Sequence, residues 1–123
     1  VVSDQYGNPT SALDLADGIL HIARTFLDSP SSSRSGIFHI AGSGDASWAD
    51  VAKAVMKECR ERGRPYAQVR CIRTGEFPTK ARRPLDARLN CSKLQQCYGW
   101  VAPHWQDSLS AIVAELLNAD ATP

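Results

Sequence analysis

The chain has 123 residues, 43% of them hydrophobic and 22% charged, a composition that suits one globular domain and excludes a disordered segment or a disulfide scaffold. A formal net charge of +1 supplies no strong basic field, which argues against nucleic acid or an anionic membrane as partner. No apolar run approaches the ~20 residues that a bilayer-crossing helix needs and no charged-then-apolar leader precedes Val1, so the expected location is the cytoplasm.

From Thr10 to Asp28, residues Ala12, Leu15, Ala16, Ile19, Ile22, Ala23 and Phe26 recur at helical spacing and predict an amphipathic helix. Thr10 or Ser11 can cap its first amides, and Pro30 with Ser31-Ser32-Ser33 ends it in a loop. Gly36 to Ala41 is a short apolar run of β-formers and predicts a mostly buried strand. Ser47, three residues ahead of Asp50, then predicts a capped second helix with the inner face Trp48, Val51, Ala52, Val55, Met56 and Cys59. Gly63 and Pro65 end that helix.

Gln68 to Ile72 alternates weakly and predicts a further strand, whereas Thr74 to Arg88, with Gly75, Pro78 and Pro84, predicts a loop. Asn90 or Ser92 opens a short helix through Tyr98, stopped by Gly99. Pro103 starts a final helix with the stripe Trp105, Leu109, Ile112, Val113, Leu116 and Leu117. Helices alternating with single strands, all with buried faces, predict a small two-layer α/β domain over residues 1–123, with a short sheet and about three main helices. A start without Met, in a β-branched dipeptide, reads like a piece of something longer.

Few side chains in the chain point to chemistry. Cys59, Cys71, Cys91 and Cys97 form no C-x-x-C pair and have no histidine at zinc-finger spacing, so four reduced thiols and no metal are expected. His21, His39 and His104 fall on a helix flank, in a strand and beside a helix start, and read as structural. Gly42-Ser43-Gly44 lies between a strand and a helix, where a glycine-rich turn can approach a pyrophosphate. Ser47 stands where a third glycine belongs, and Asp45 and Asp50 would repel the anion, so a plain turn is expected. Trp48, Trp100 and Trp105, near helix starts or stops, are expected in the core. The basic cluster Arg70, Arg73, Lys80, Arg82, Arg83 and Arg88 is the stretch able to receive a phosphate.

The strongest signal is Asp4-Gln5-Tyr6-Gly7-Asn8-Pro9-Thr10 with Asp14-Leu15-Ala16 behind it. It resembles the D-Q-x-G-x-P-T and D-L-A stretch of dTDP-4-dehydrorhamnose reductases, extended short-chain dehydrogenases with an N-terminal cofactor half and a C-terminal substrate half. Gly36-Ile37-Phe38-His39-Ile40-Ala41-Gly42 with Ser47-Trp48 looks like the family's G-x-(Y/F)-H-x-x-G and S-W, and Ala81-Arg82-Arg83-Pro84 with Ser92-Lys93-Leu94 like its A-x-R-P and S-K-L. The likeness covers nearly the whole chain and implies the C-terminal substrate-binding part of such a reductase.

The resemblance further implies that the complete enzyme reduces the C4 ketone of dTDP-4-dehydro-L-rhamnose with NADPH or NADH, giving dTDP-L-rhamnose for cell-surface polysaccharide. The family's catalytic pair is a Tyr with a Lys four positions on; Tyr6, Tyr66 and Tyr98 are followed there by Thr10, Arg70 and Ala102. The pair and the cofactor turn are therefore expected in a missing N-terminal Rossmann half, and this chain alone is expected to bind no cofactor and to be inactive. The partners implied are that half and a dTDP-sugar nucleotide, with a homodimer of the parent left open.

Four residues are the candidates for substrate contact. Arg83, stiffened by Pro84, offers a planar guanidinium to a diphosphate, and Arg82 is its weaker alternative; either one can instead be solvated or paired with a carboxylate. Gln5 presents an amide to a ligand or to the turn backbone. The Thr10 hydroxyl caps the first helix or touches ligand. Two other readings stay open, a related nucleotide-sugar epimerase or dehydratase and a non-catalytic regulatory subunit with the reductase fold.

Overall fold

A computed structural model describes residues 1–29 and 35–119. They form a small α/β fold of four α-helices and one two-stranded sheet: β1 (Tyr6–Gly7), α1 (Ala12–Asp28), β2 (Ala46–Ser47), α2 (Trp48–Glu61), α3 (Ser92–Tyr98) and α4 (Trp105–Ala119). The three long helices and the short sheet agree with the expectation from sequence. The predicted end of α1 at Pro30 and Ser31-Ser32-Ser33 lies outside the described residues.

The N-terminal stretch is the spine of the fold. β1 pairs antiparallel with β2, Tyr6 opposite Ser47 and Gly7 opposite Ala46. On its other side the same stretch makes single parallel bridges, Val2 with Ile72 and Tyr6 with Asp86. The amide of Ala49, at the start of α2, donates to the Val2 carbonyl at 2.9 Å, and the Ser3 amide donates to Ile72 at 3.0 Å. Segments some 70 residues apart in sequence are thus stitched to one extended strip.

Local chemistry explains where the helices begin. Ser11 caps α1, its hydroxyl accepting the amides of Leu13 at 3.1 Å and Asp14 at 3.4 Å. The Thr10 hydroxyl does not cap the helix; it donates to the Asn8 carbonyl at 2.8 Å and accepts the Gly42 amide at 3.0 Å. Thr10 precedes the cap position, so its side chain faces the turn and not the helix amides. Gly99, in the left-handed region at φ 66°, ends α3 as expected. α4 starts at Trp105, two residues after Pro103, because the backbone there is spent elsewhere: Ser43 donates to the Pro103 carbonyl and accepts from the Trp105 amide.

α2 opens on a reciprocal cap. Ser47 is 1% exposed; its hydroxyl accepts the Asp50 amide at 3.2 Å and donates to the Asp50 carboxylate at 2.7 Å, while its own amide donates to the same carboxylate at 3.0 Å. The Ser47 hydroxyl, and then its amide, hold the Asp50 carboxyl below its ordinary value. A lowered folded-state pKa contributes stability above the ordinary carboxyl range, and that contribution is lost as the pH falls through the lowered value. Ser47→Ala should therefore cost about 1 kcal/mol at neutral pH, and urea midpoints of the two proteins should converge on acidification. Parallel midpoints down to the acid limit would show that the cap is not what Asp50 serves.

Three expectations are corrected. Residues 36–41 form no strand: they run irregularly between Ser35 and the bridge at Ser43, and Ile37 is 83% exposed. A strand needs a hydrogen-bonded backbone neighbour, and no described segment forms a ladder with this one. Gln68 to Ile72 contributes only the bridge at Ile72. The apolar stripe of α1 is also less buried than its spacing implies, Ile19 being 60% and Phe26 42% exposed. α1 instead approaches its neighbours through buried Gly18, where an added Cβ would lie 2.6 Å from Ile40 and 2.9 Å from Trp100.

The core gathers Ala41, Ala46, Ala49, Leu94, Tyr98, Ala102, Trp105 and Val113. On α4 Leu116 faces out although it belongs to the predicted stripe. Cys59, Cys71, Cys91 and Cys97 are all free thiols. Among the described residues no group of histidine, cysteine and carboxylate side chains could hold a metal, and no helix is long and apolar enough to cross a membrane.

Candidate functional site

Pinning the N-terminal spine at both ends fixes the side chains between them. The Thr74 amide and hydroxyl both donate to the Asp4 carboxylate, at 2.9 and 2.7 Å, and the Gln5 amide nitrogen donates to the Thr74 hydroxyl oxygen at 3.1 Å. The Thr74 hydroxyl holds the Asp4 carboxyl below its ordinary value. Gln5 itself is 8% exposed.

The turn after β1 is held as firmly. Asn8 donates to the Gly44 carbonyl at 3.0 Å and accepts the Leu89 amide at 2.7 Å, tying this turn to the end of the basic loop. The Gly42-Ser43-Gly44 turn spends its amides inside the chain, Gly42 on the Thr10 hydroxyl and Ser43 on the Pro103 carbonyl. A Cβ at Gly42 would lie 2.1 Å from the Pro9 carbonyl oxygen, so glycine is required there by close approach. Two of the three amides of this turn are therefore not available to an anion.

The basic loop reaches the spine through Tyr6, whose amide donates to Leu85 at 2.8 Å and whose carbonyl accepts the Ala87 amide at 2.9 Å. Arg88 fastens it laterally, with Asp86 at 2.9 and 2.7 Å and with Asp45 at 2.8 Å. The Arg88 guanidinium draws the Asp86 carboxyl down to about 2, and the two carboxylates push the Arg88 pKa up. Arg88 is therefore committed to carboxylates.

Between the spine, the start of α2 and this loop lies a cavity of about 520 Å³. Its wall includes Gln5 and Thr10 from the first stretch, Ser47 and Trp48 from the second, and Arg83 and Pro84 from the third. An adjoining cavity of about 470 Å³ shares Gln5, Trp48 and Arg83 and adds Phe77 and Thr79. Arg83 is exposed and forms no ion pair or hydrogen bond with any described residue, so its guanidinium is available to an anion. Arg82 is exposed and lines neither cavity. Of the four candidates the fold brings together Gln5, Thr10 and Arg83, and it leaves Arg82 apart.

Trp48 was expected in the core and is 59% exposed on the wall of both cavities. As the first residue of α2 it precedes the turn that buries Ala49, and the Ser47 cap sets its direction outward. Trp100 and Trp105 do pack inward, half-buried and buried. Sequence reasoning also passed over Asp4, Asn8 and Thr74; the long-range hydrogen bonds that give them a role leave no trace in spacing.

The dTDP-4-dehydrorhamnose reductase of Sinorhizobium fredii (strain NBRC 101917 / NGR234) is 44% identical over 117 residues, covering 95% of this chain and 40% of that protein. The reductase of the same name from Escherichia coli (strain K12) is 38% identical over 123 residues, covering 98% and 40%. The chain thus spans about two fifths of the length of the curated relatives it matches. The crystal structure of dTDP-4-dehydrorhamnose reductase from Bacillus anthracis str. Ames in complex with NADP superposes with a TM-score of 0.78 at 27% identity, over 94% of this chain and 37% of that one. An ortholog from Clostridium acetobutylicum ATCC 824 gives 0.75 at 33% identity, over 96% and 38%. A family model described as RmlD substrate binding domain matches residues 1–118, nearly the whole length that folds around the cavity, and this chain belongs to that family.

Proposed function

We propose that this chain is the substrate-binding part of an NAD(P)H-dependent reductase that converts dTDP-4-dehydro-L-rhamnose to dTDP-L-rhamnose in the cytoplasm. What supports the reading above all is convergence: three stretches far apart in sequence line one cavity whose wall includes an arginine with no partner among the described residues. Arg83 is the diphosphate contact, its planar donors matching phosphate oxygens two at a time. Gln5 and Trp48 lie beside it, an amide and an exposed ring face for the rest of the nucleotide sugar. Thr10 acts indirectly, holding the Asn8 carbonyl and the Gly42 amide so that the turn keeps its shape.

The cofactor-binding and proton-donating parts belong to the remaining three fifths of such a reductase. The residues of this chain offer no dinucleotide turn, since the Gly42 and Ser43 amides are engaged and Ser47 stands where a third glycine belongs, and no Tyr has a Lys four positions on. The contribution of this part is to fix the sugar nucleotide in one pose, and holding two reactants in near-attack geometry is worth ~7 kcal/mol or more of a barrier.

Calorimetric titration of the chain with dTDP and, separately, with NADPH tests the reading. Saturable heat is expected with dTDP and none with NADPH, and NADPH should not be oxidised when dTDP-4-dehydro-L-rhamnose is added. Failure to bind dTDP, or NADPH turnover above the buffer rate, would overturn it.

A further inference from the structure

The hydrogen bonds around Gln5 have a single consistent polarity. An ionised carboxylate only accepts, so the Thr74 hydroxyl spends its proton on Asp4, at 2.7 Å. The lowered pKa of Asp4 keeps it in that accepting form at neutral pH. The Thr74 oxygen, 3.1 Å from the Gln5 amide, is then left with lone pairs only and must receive an N–H. Gln5 is therefore held with Nε2 toward Thr74, and its Oε1 points the other way.

That oxygen has no hydrogen-bond donor among the described residues, and it is not sealed from solvent, because no buried side-chain polar atom lacks a partner. Gln5 is more than nine-tenths buried and lines both cavities. Its remaining accessible surface opens onto the place where Trp48 and Arg83 also converge. In the free chain water reaches this amide oxygen, and a ligand donor that replaces the water must reproduce its hydrogen bond.

We infer that Gln5 Oε1 is a pre-oriented acceptor for one neutral donor of the bound nucleotide sugar, and that Asp4 and Thr74 are positioning residues that set the direction of the Gln5 amide. The inference rests on the proposed dTDP-sugar site. It adds a sign to the recognition, since a donor is accepted at this point and a second acceptor is rejected. Three groups of a dTDP-sugar have this chemistry, the imide N–H of the base, the 3′-hydroxyl of the deoxyribose and a hydroxyl of the hexose.

The test is calorimetric titration of the wild-type chain and of Gln5→Met, Thr74→Val and Thr74→Ser with dTDP, N3-methyl-dTDP and dTDP-L-rhamnose. Losing one neutral hydrogen bond should weaken binding about three- to tenfold in Gln5→Met. Thr74→Val, which leaves the cavity wall in place but frees the amide to turn, should weaken it about two- to fivefold, and Thr74→Ser should restore it. A loss already seen with dTDP, matched by weak wild-type binding of N3-methyl-dTDP, identifies the base imide; the same loss with unimpaired wild-type binding of N3-methyl-dTDP identifies the deoxyribose 3′-hydroxyl. A loss confined to dTDP-L-rhamnose identifies a hydroxyl of the hexose. Wild-type affinity for every ligand in Gln5→Met and Thr74→Val overturns the inference, as does Thr74→Ser binding as poorly as Thr74→Val. The Thr74 pair decides the matter even if Gln5→Met does not fold. Absence of dTDP binding by the wild-type chain removes the proposed substrate site itself, and this inference with it.

Discussion

Replacing Arg83 with Ala should weaken binding of a dTDP-sugar about ten- to a hundredfold, and replacing it with Lys should give an intermediate loss. Hydrogen bonds between a guanidinium and a phosphate are charge-assisted and contribute ~1.5 to 3 kcal/mol, which converts to that range of affinity. Lys keeps the charge but loses the fixed planar fork, hence the order Arg, Lys, Ala. The structure sharpens the expectation by accounting for the neighbouring cations. Arg88 is consumed by Asp86 and Asp45, and Arg82 lines neither cavity. Arg82→Ala should accordingly stay within about twofold of wild type, as surface changes of under ~0.5 kcal/mol do. Titration of dTDP against the four proteins measures all of this; an Arg83→Ala protein that binds like wild type removes Arg83 from the site.

Gly42→Ala should damage the fold at the edge of the site. The added carbon would lie 2.1 Å from the Pro9 carbonyl oxygen and 3.2 Å from the Pro9 carbonyl carbon, and both are backbone. No side-chain rotation relieves such a contact. Separating the two strands of chain also stretches the bond from the Gly42 amide to the Thr10 hydroxyl, now 3.0 Å. Overpacking of this kind costs ~1 to 3 kcal/mol and the lost hydrogen bond about 1 more. For a domain of this size that is a drop in melting temperature of about 10 °C. Gly75→Ala is the control, because a Cβ there meets nothing within 4 Å. Equal melting temperatures for the two variants would show that the Pro9 turn yields freely. Binding reports on the same contact, since Pro9 and Thr10 line the cavity and a displaced turn should weaken dTDP affinity as well.

The helices were legible because each is specified by residues that are neighbours in sequence. Ser47 and Asp50 are three apart and form the cap of α2 without help from elsewhere. Gly99 ends α3 because glycine alone adopts a left-handed backbone without cost. Ser11 and Thr10 mark the limit of such reasoning. Both hydroxyls were candidates for the α1 cap, and the choice went to Ser11 because Thr10 was taken by Asn8 and Gly42, the latter 32 residues away. The run from Gly36 to Ala41 failed for a related reason. Its composition reports a preference for extended backbone, but a strand exists only with a partner, and pairing is not encoded within the run.

For the site, the sequence by itself determined which residue types were present and in which ordered stretches, including Gln5, Thr10 and Arg83, and it carried the likeness to one reductase family. Only the tertiary structure decided that these stretches meet at one cavity, that Trp48 lines it and does not join the core, and that Arg88 is paired with carboxylates while Arg83 has no partner among the described residues. It also decided the direction of the Gln5 amide, through a hydroxyl and a carboxylate joined across about 70 residues of chain. The physical reason is one of range: capping and periodicity act within a few residues, whereas the charge state, exposure and donor or acceptor role of a side chain are set by whatever the fold packs against it.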